Sequence, residues 1–295
     1  MAVLLGVFEE GLAYAIMALG VYITYSILDF PDLSVDSTFP LGGAVSVTFI
    51  LLGVHPAAAL LLAFLAGAAA GAVTGLIHVK LKIRDLLSGI IVMTALYSVN
   101  LRIAGGRANV PIFNQDTIFE NSFVSSVIPQ ALKPCTAVII LFIIVLAVKL
   151  LMDLYLNTRS GYLLRAVGDN ASLVTSLAKD KGGVKILGLA IANGLAALAG
   201  SVYCQQKGFF DITMGTGTIV IGLASVIIGT KIFGRLSFLR ATSAVIAGSI
   251  VYKACVSAAI SFGMEAQDLK LITAVLFLVI LVVSDRAKRR SKHHA

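Results

Sequence analysis

Charged residues are scarce in this sequence, and tryptophan is absent. Only 13% of the 295 residues are charged, against roughly a quarter in soluble domains, while 58% are hydrophobic. Most side chains therefore never meet water, and the apolar stretches must face lipid or one another. The lack of Trp and the 27 glycines favour tightly packed helices over a β-barrel, whose strands need aromatic girdles. The sequence predicts an all-α integral membrane protein.

The motifs that carry bond chemistry are also missing. The chain has no phosphate-binding loop, no His-Glu-x-x-His and no Gly-x-Ser-x-Gly. Cys135, Cys204 and Cys255 stand alone in or beside apolar stretches, and the four histidines lack metal-ligand spacing. We expect no catalytic residue, no metal and no cofactor on this chain, and we interpret the cysteines as small core residues. The net charge of +8 is interpreted as a topology signal and not as a nucleic-acid site.

Nine apolar runs are candidate membrane spans, because a bilayer core about 30 Å thick needs roughly 20 helical residues. They are 11–28, 40–54, 56–78, 86–103, 134–156, 184–204, 218–233, 241–262 and 270–284. The second run is short and follows Pro31 and Pro40, which predicts a broken or unwound segment. We expect one transmembrane domain over residues 1–295, with about eight to nine spans and a broken second helix.

Lysine and arginine are distributed unevenly between the loops. Alternating the nine runs places most of the 23 basic residues on one side of the membrane, in 78–85, 157–185, 231–240 and 284–295. The positive-inside rule then predicts an external N-terminus and a cytoplasmic C-terminus, with the basic tail held on acidic lipid. Segment 29–39 fits poorly because it carries three aspartates and no base. This misfit favours non-helical backbone within the membrane.

Polar side chains in and beyond this segment mark a candidate path for a solute. An unpaired amide or carboxylate at membrane depth is costly unless it meets a partner or a polar cavity. The residues are Asp32, Ser34, Asp36, Ser37, Asn100 and Asn193. We expect the break to face Asn193, across the subunit or across a dimer axis. We also expect a half-helix beginning near Pro40 and Leu41 to point its N–H groups at the break. For the two asparagines, structural bonding between helices is an equal alternative.

Two further features lie inside predicted spans. Lys253, about halfway along 241–262, is interpreted as a lysine that snorkels or pairs with a neighbour; the alternative is a contact with an anionic solute group. Gly67, Gly71 and Gly75 form two consecutive Gly-xxx-Gly steps. They predict close helix packing, within one subunit rather than at a dimer seam.

The longest basic loop, 157–185, contains a predicted short helix from about Ala171 to Ala178. Asp169 or Asn170 can cap its start, and Gly182-Gly183 can stop it. Its apolar stripe, which includes Leu173 and Leu177, suits a groove on another protein or, equally, the membrane surface.

Several motifs in order resemble permease subunits of bacterial ABC importers, in the branched-chain amino acid and ribose permease family. They are DLSVDSTFPLGGAV at 32–45, MTALYSVNLRI at 93–103, LRAVGDN at 164–170 followed by GLAIANGLAALAG at 188–200, and QQKGFFDITMGTGTIVIGLASVIIG at 205–229. The most similar group is the tryptophan or tyrosine type of permease. Asp36 stands where sugar permeases of the wider family usually have Gly, which argues against a sugar path.

The resemblance implies a complete transport machine around this chain. It implies a type II-like fold, a second permease subunit that makes a homodimer, an ATPase dimer that holds ATP and Mg, and an extracytoplasmic solute-binding protein. It also places the DLSV-type stretch near the translocation path and a coupling helix at 165–180. The residues expected to couple to the ATPase are Arg165, Asp169, Asn170, Leu173 and Leu177.

The sequence therefore predicts a non-enzymatic permease of the bacterial inner membrane that imports a small polar solute. The expected solute is an amino acid, and an aromatic one fits the resemblance. An ABC permease for a nucleoside or sugar is one alternative. An ion-coupled secondary transporter is another, but the lack of mid-span carboxylates after residue 40 argues against it. A membrane-embedded enzyme is disfavoured because no nucleophile, base or metal constellation is present.

Overall fold

The computed structural model describes residues 2–127, 129–169, 180–234, 239–261, 268 and 271–282. Its helices are α1 (Ala2–Val21, continued by π-helical Tyr22–Ile27), α2 (Val35–Leu51), α3 (Pro56–Lys80), α4 (Asp85–Ile103), α5 (Ser122–Val127), α6 (Thr136–Leu156, preceded by the 3-10 turn Gln130–Cys135), α7 (Arg159–Asp169), α8 (Lys181–Lys207), α9 (Thr218–Ile228, continued by π-helical Gly229–Phe233), α10 (Ala241–Ser261) and α11 (Leu271–Val282). Two short strands, β1 (Asn109–Pro111) and β2 (Phe209–Asp211), complete the fold.

Nine of the described helical segments correspond to the nine predicted runs, which confirms the all-α prediction. Six are long and apolar enough to cross a membrane: Val3–Ile27, Pro56–Lys80, Asp85–Ile103, Lys133–Leu156, Lys181–Lys207 and Ala241–Ser261. Three are shorter, namely Val35–Leu51, Thr218–Phe233 and Leu271–Val282. The prediction was wrong about where the first run begins, because α1 starts at Ala2 and takes Glu9 and Glu10 into the helix. The basic tail lies outside the described residues.

Helices α2 and α8 form the centre of the bundle. Nearly every residue of α2 from Ser37 to Val47 is buried, and α8 is buried over most of its second half. Gly42 of α2 and Gly200 of α8 let the two backbones touch, since a methyl group on Gly42 would collide with the Ala197 carbonyl. The same addition to Gly200 would collide with the carbonyl of Phe39. Glycines at a crossing let two membrane helices approach closely and gain dispersion contacts, although no hydrophobic effect drives helices together in lipid.

The glycine stripe of α3 packs on α8 inside the same subunit, as predicted. A methyl group on Gly71 would collide with the carbonyl of Leu189, and one on Gly75 would come within 2.8 Å of the Ile186 Cα. Gly67 abuts Asn193 in the same way. The stripe therefore brings the α3 backbone directly against the helix that carries Asn193.

A two-stranded sheet ties together two loops that are distant in sequence. β1 and β2 pair antiparallel, with Asn109 opposite Asp211 and Pro111 opposite Phe209. The segments 104–133 and 205–217 therefore meet at one end of the bundle. Alternation of the predicted spans requires the same arrangement.

The α2–α8 crossing generates a test of packing. We expect Gly42→Ala to lower the free energy of unfolding by about 1–3 kcal/mol, because the added methyl group forces two packed backbones apart. Gly6→Ala in α1 is the matched control, since a methyl group there meets no atom within 4 Å. Thermal unfolding of both proteins in detergent, followed by circular dichroism, measures the difference. Equal melting temperatures would contradict the crossing.

Candidate functional site

The chain breaks between α1 and α2, over Leu28–Ser34. The π-helical turn ends with hydrogen bonds from Leu28 N to Ile23 O at 2.9 Å and from Phe30 N to Thr24 O at 2.8 Å. Asp29 then adopts φ 50, a left-handed conformation that Asp tolerates better than most residues. The predicted non-helical segment 29–39 is confirmed only for residues 29–34. Residues 35–39 are helical, and the second helix itself is continuous over Val35–Leu51, so the prediction of a broken second helix was wrong.

The predicted half-helix beginning at Pro40 and Leu41 is wrong. Helix α2 begins at Val35, and Pro40 lies inside it, where its missing N–H leaves the Asp36 carbonyl without an intrahelical donor. Gly215 packs directly on that carbonyl and on the Pro40 ring, so a loop from elsewhere in the chain covers the gap.

Asp32, Ser34 and Asn193 form one buried hydrogen-bond network across the break. The Asp32 carboxylate accepts the Ser34 N–H at 2.9 Å and the Asn193 amide at 2.7 Å. Ser34 Oγ donates to Asn193 Oδ1 at 3.1 Å, and the Asn193 amide also donates to Leu189 O at 3.2 Å. All three side chains are at most 1% exposed. The predicted meeting of the break with Asn193 is confirmed, and it takes place within one subunit.

Asp36 holds the start of another helix. Its carboxylate accepts the backbone N–H groups of Gly217 at 3.1 Å and Ile219 at 2.8 Å, and the Thr218 hydroxyl at 3.1 Å. The two backbone N–H groups lie at the N-terminus of α9, where a negative charge is stabilised by the helix dipole. An anion does meet a helix N-terminus here, but the helix is α9 and not α2.

Asn100 and Ser37 join α4 to α2. The Asn100 amide donates to the Ser37 carbonyl at 2.9 Å, and the Asn100 side chain is fully buried. Its Oδ1 atom has no hydrogen-bond partner among the described residues. The six residues predicted for the path therefore all lie around the start of α2, and the asparagines bond helices to one another.

A second polar centre, which the sequence prediction missed, lies between α1, α8 and α10. Glu10 pairs with Lys207 at 2.9 Å and with Lys253 at 3.1 Å. The Lys253 ammonium also lies 4.2 Å from the centroid of the Tyr14 ring. The interpretation of Lys253 as a lysine paired with a neighbour is confirmed. Glu10 was missed because the first run was drawn from residue 11; its spacing of four from Tyr14, on one helix face, was the available signal.

These charges border a groove of about 710 Å³ between α1, α9, α10 and α11. Its polar lining includes Glu10, Tyr14, Tyr203 and Lys253, and the rest of its wall is largely aliphatic. Gly217, whose N–H bonds Asp36, is also part of the wall. The groove therefore reaches from the ion pair to the Asp36-capped start of α9.

A third cluster fixes α6 to the start of α10. Asp153 accepts hydrogen bonds from Lys149 at 2.8 Å, Arg240 at 3.1 Å and Thr242 at 2.6 Å. This carboxylate lies in the last turns of the predicted run 134–156 and was not singled out from the sequence. Its two cations and one hydroxyl satisfy it fully, so we assign it a structural role.

Only part of the predicted coupling region lies within the described residues. Arg165 and Asp169 belong to α7, whereas Asn170, Leu173 and Leu177 lie outside. Asp169 is the last residue of α7 and therefore lies in a helix that the prediction did not include. Gly182 and Gly183 do not stop a helix; they lie in the first turn of α8 and donate to the Asp180 cap at 2.9 and 3.1 Å.

Helix α7 contacts the break directly. The backbone of Gly168 packs against the carbonyl of Ile27, so closely that a methyl group would not fit. Gly188 of α8 packs against Leu164 and Leu28 together. A displacement of α7 would therefore push on the end of α1 and on the first residue of the break.

The remaining expectations concern metals and cysteines. Among the described residues, no group of three His, Cys, Asp or Glu side chains could hold a metal ion. Cys204 is buried and Cys135 is half-buried, as expected of core residues. Cys255 is exposed, which corrects the interpretation of all three cysteines as core, because it lies on a face of α10 that no described residue covers.

Interrupted helices, buried polar groups at the interruptions and a charged groove between apolar helices define a multi-pass membrane permease. Comparison with known proteins gives the family: residues 3–284 match the model described as "Branched-chain amino acid transport system / permease component". The chain belongs to this family of ABC transporter permeases, and it is a permease component and not an enzyme. The resemblance noted in the sequence is confirmed.

Several curated proteins are similar over nearly the whole chain. A tyrosine transport system permease protein of Clostridioides difficile (strain R20291) is 44% identical over 97% of this chain and 92% of its own length. The ribose import permease of Escherichia coli (strain K12) is 26% identical over 96% of this chain and 85% of its own. A fructose import permease of Bifidobacterium longum (strain NCC 2705) is 27% identical, over 95% and 76%. No solved structure matches the chain significantly.

The Asp32–Asn193 contact can be tested by exchanging its partners. Asn193→Asp should destabilise the protein by roughly 3 kcal/mol, because it places two carboxylates in contact in a buried site. Adding Asp32→Asn restores one amide and one carboxylate, and should recover at least half of the loss. Thermal unfolding in detergent measures both. A double variant no more stable than Asn193→Asp alone would show that the two side chains do not interact as described.

Proposed function

We propose that this permease imports an amino acid with an aromatic side chain. The observation that carries the proposal is the 44% identity, over almost the full length, to a protein named as a tyrosine transport permease. The sugar permeases are more distant, at 26% and 27%. A groove lined by one carboxylate, one ammonium group and several tyrosines also suits a zwitterion better than a neutral sugar.

The proposed assembly contains two copies of this chain in the bacterial inner membrane. A cytoplasmic ATPase dimer supplies ATP and Mg, and an extracytoplasmic binding protein delivers the solute. The eight or nine proposed spans leave the N-terminus external and the C-terminus cytoplasmic. The pairing of β1 with β2 supports this alternation, since it brings two predicted external loops to the same end.

The proposed path passes the start of α2. Asp36 and Ser37 border it, and Asp32, Ser34, Asn100 and Asn193 support the break beside it. Support comes from Asp36 and Gly217, which connect the break to the wall of the groove. Backbone that is not helical at membrane depth is tolerated where it lines a cavity or is covered by protein. Alternating access would change the tilt of α9 around its Asp36 anchor.

A sugar permease is the second candidate. It is favoured by the ribose and fructose permeases among the relatives. The match to a permease component of a multi-component transport system argues against the ion-coupled mechanism considered from the sequence.

Uptake by reconstituted complex separates the two candidates. Proteoliposomes that contain this permease, its ATPase and its binding protein should accumulate labelled L-tyrosine when ATP is present on the ATPase side. Unlabelled L-phenylalanine should compete, and ribose should not. Accumulation of ribose without any amino acid would replace the proposal with the sugar alternative.

The coupling segment forms the proposed contact with the ATPase. Arg165 and Asp169 lie on α7, which abuts the break, and Asn170, Leu173 and Leu177 follow it in sequence. ATPase motion would pass through α7 to Ile27 and so to the start of α2.

Replacing Leu173 and Leu177 by Asp tests this contact. Two unpaired charges in an apolar docking surface should cost several kcal/mol and release the ATPase from purified complex. The control is Leu81→Asp, which changes an exposed leucine in the predicted cytoplasmic segment 78–85, outside the coupling segment. Full ATPase stoichiometry with normal uptake in the Leu173→Asp/Leu177→Asp protein would refute the assignment.

A further inference from the structure

The Glu10–Lys253 pair has features of a binding site as well as of a structural bridge. Both side chains belong to apolar helices predicted to cross the membrane, where charged groups are costly and mark transport pathways. Both also line the 710 Å³ groove, and this volume lies within the range of about 300–1,000 Å³ found for small-molecule sites. Glu10 is 36% exposed and Lys253 is 11% exposed, so a ligand in the groove can reach the carboxylate first.

The two groups retain unused bonding capacity. The Lys253 ammonium uses one of its three donors on Glu10 and lies over the Tyr14 ring. The Glu10 carboxylate accepts one bond from Lys253 and one from Lys207, although its two oxygens have about four acceptor positions. The Lys253 ammonium and the Glu10 carboxylate lie 3.1 Å apart, and their charges are complementary to the carboxylate and ammonium groups of an amino acid.

Aromatic and aliphatic side chains adjoin these charges. Tyr14 stacks on Phe39 with ring centroids 5.7 Å apart, and Tyr203 lies at a tilt 5.5 Å from Tyr14. Tyr14 and Tyr203 line the groove beside the charges, and Val220 and Val256 line it further on. Such surfaces bind an aromatic ring by stacking and by apolar burial.

We propose that Glu10 and Lys253 form a transit site for the backbone of the imported amino acid. The solute carboxylate binds the Lys253 ammonium, and the solute ammonium binds the Glu10 carboxylate. The solute side chain lies against Tyr14, Tyr203 and the aliphatic wall. This inference rests on the proposed function and names the atoms in the permease that would distinguish an amino acid from a sugar.

Lys207 links this site to the end of the bundle where β1 and β2 pair. It pairs with Glu10 from the other side and lines a separate polar cavity of about 1000 Å³, together with Glu9 and Gln206. Glu10 therefore stands between that cavity and the groove. A solute ammonium that displaced Lys207 from Glu10 would pass from the cavity towards the groove while the Glu10 carboxylate kept a cationic partner.

Neutral variants of the pair provide the test in the reconstituted complex. We expect Lys253→Met and Glu10→Gln each to reduce L-tyrosine uptake about tenfold or more, where tenfold corresponds to about 1.4 kcal/mol. Lys253→Arg should retain more uptake than Lys253→Met because it keeps the charge. Lys149→Met is the matched control, since Lys149 is also a poorly exposed lysine in an ion pair within an apolar helix, and we expect its uptake within about twofold of the unaltered complex.

A protection measurement separates binding from folding. Ser257 lines the groove one helical turn beyond Lys253, so Ser257→Cys places a thiol beside the site. In a background with Cys135 and Cys255 replaced by Ser, L-tyrosine should slow its modification by a polar thiol reagent. Tyramine, which lacks the carboxylate, should protect less, and Lys253→Met should abolish the difference between the two compounds.

The outcomes distinguish the site from the proposed function. If the unaltered complex imports L-tyrosine and Lys253→Met does so at the same rate, the transit site is wrong and the function stands. If Lys253→Met, Glu10→Gln and Lys149→Met lose uptake only in proportion to folded protein, the pair is structural and the site is wrong. If the complex imports an uncharged sugar and no amino acid, both proposals fail.

Discussion

The Asp36 carboxylate links the first turn of α2 to the N-terminus of α9, and the position of the groove wall depends on this link. The first N–H groups of helix α9 have no acceptor within their own helix. Asp36 satisfies the N–H groups of Gly217 and Ile219 from the first turn of α2. Since α2 is itself held against α8 by backbone contact, the start of α9 is fixed relative to the centre of the bundle.

The two polar centres have different exposure and therefore different chemical possibilities. Asp32, Ser34 and Asn193 bond one another and are closed to solvent, which suits a permanent support for the break. Glu10 and Lys253 face a groove and keep free bonding capacity, which suits exchange of partners with a solute. A permease needs both kinds, because the path must be polar while the backbone around it stays satisfied.

The sequence predicted helices and their packing correctly where a local pattern in the chain is sufficient to specify them. Long apolar runs gave the nine helical segments, and the Gly67–Gly71–Gly75 stripe gave a close helix crossing. The predicted start of α2 was wrong because Pro40 was interpreted as the beginning of a helix, whereas it lies inside α2 with Gly215 packed against its ring. That contact joins residues distant in sequence, and no local pattern reports it.

The amino-acid sequence by itself determined the class of protein: its scarcity of charge, its apolar runs and its family motifs require a helical membrane permease. Only the tertiary structure decided which polar groups meet. Asp32 and Asn193 are 161 residues apart in the chain, and Glu10 and Lys253 are 243 apart. Hydropathy depends on neighbours along the chain, but the partner of a buried charge depends on how helices pack. Glu10 lay just outside its predicted span, and only the packing of α1 against α10 shows that it pairs with Lys253.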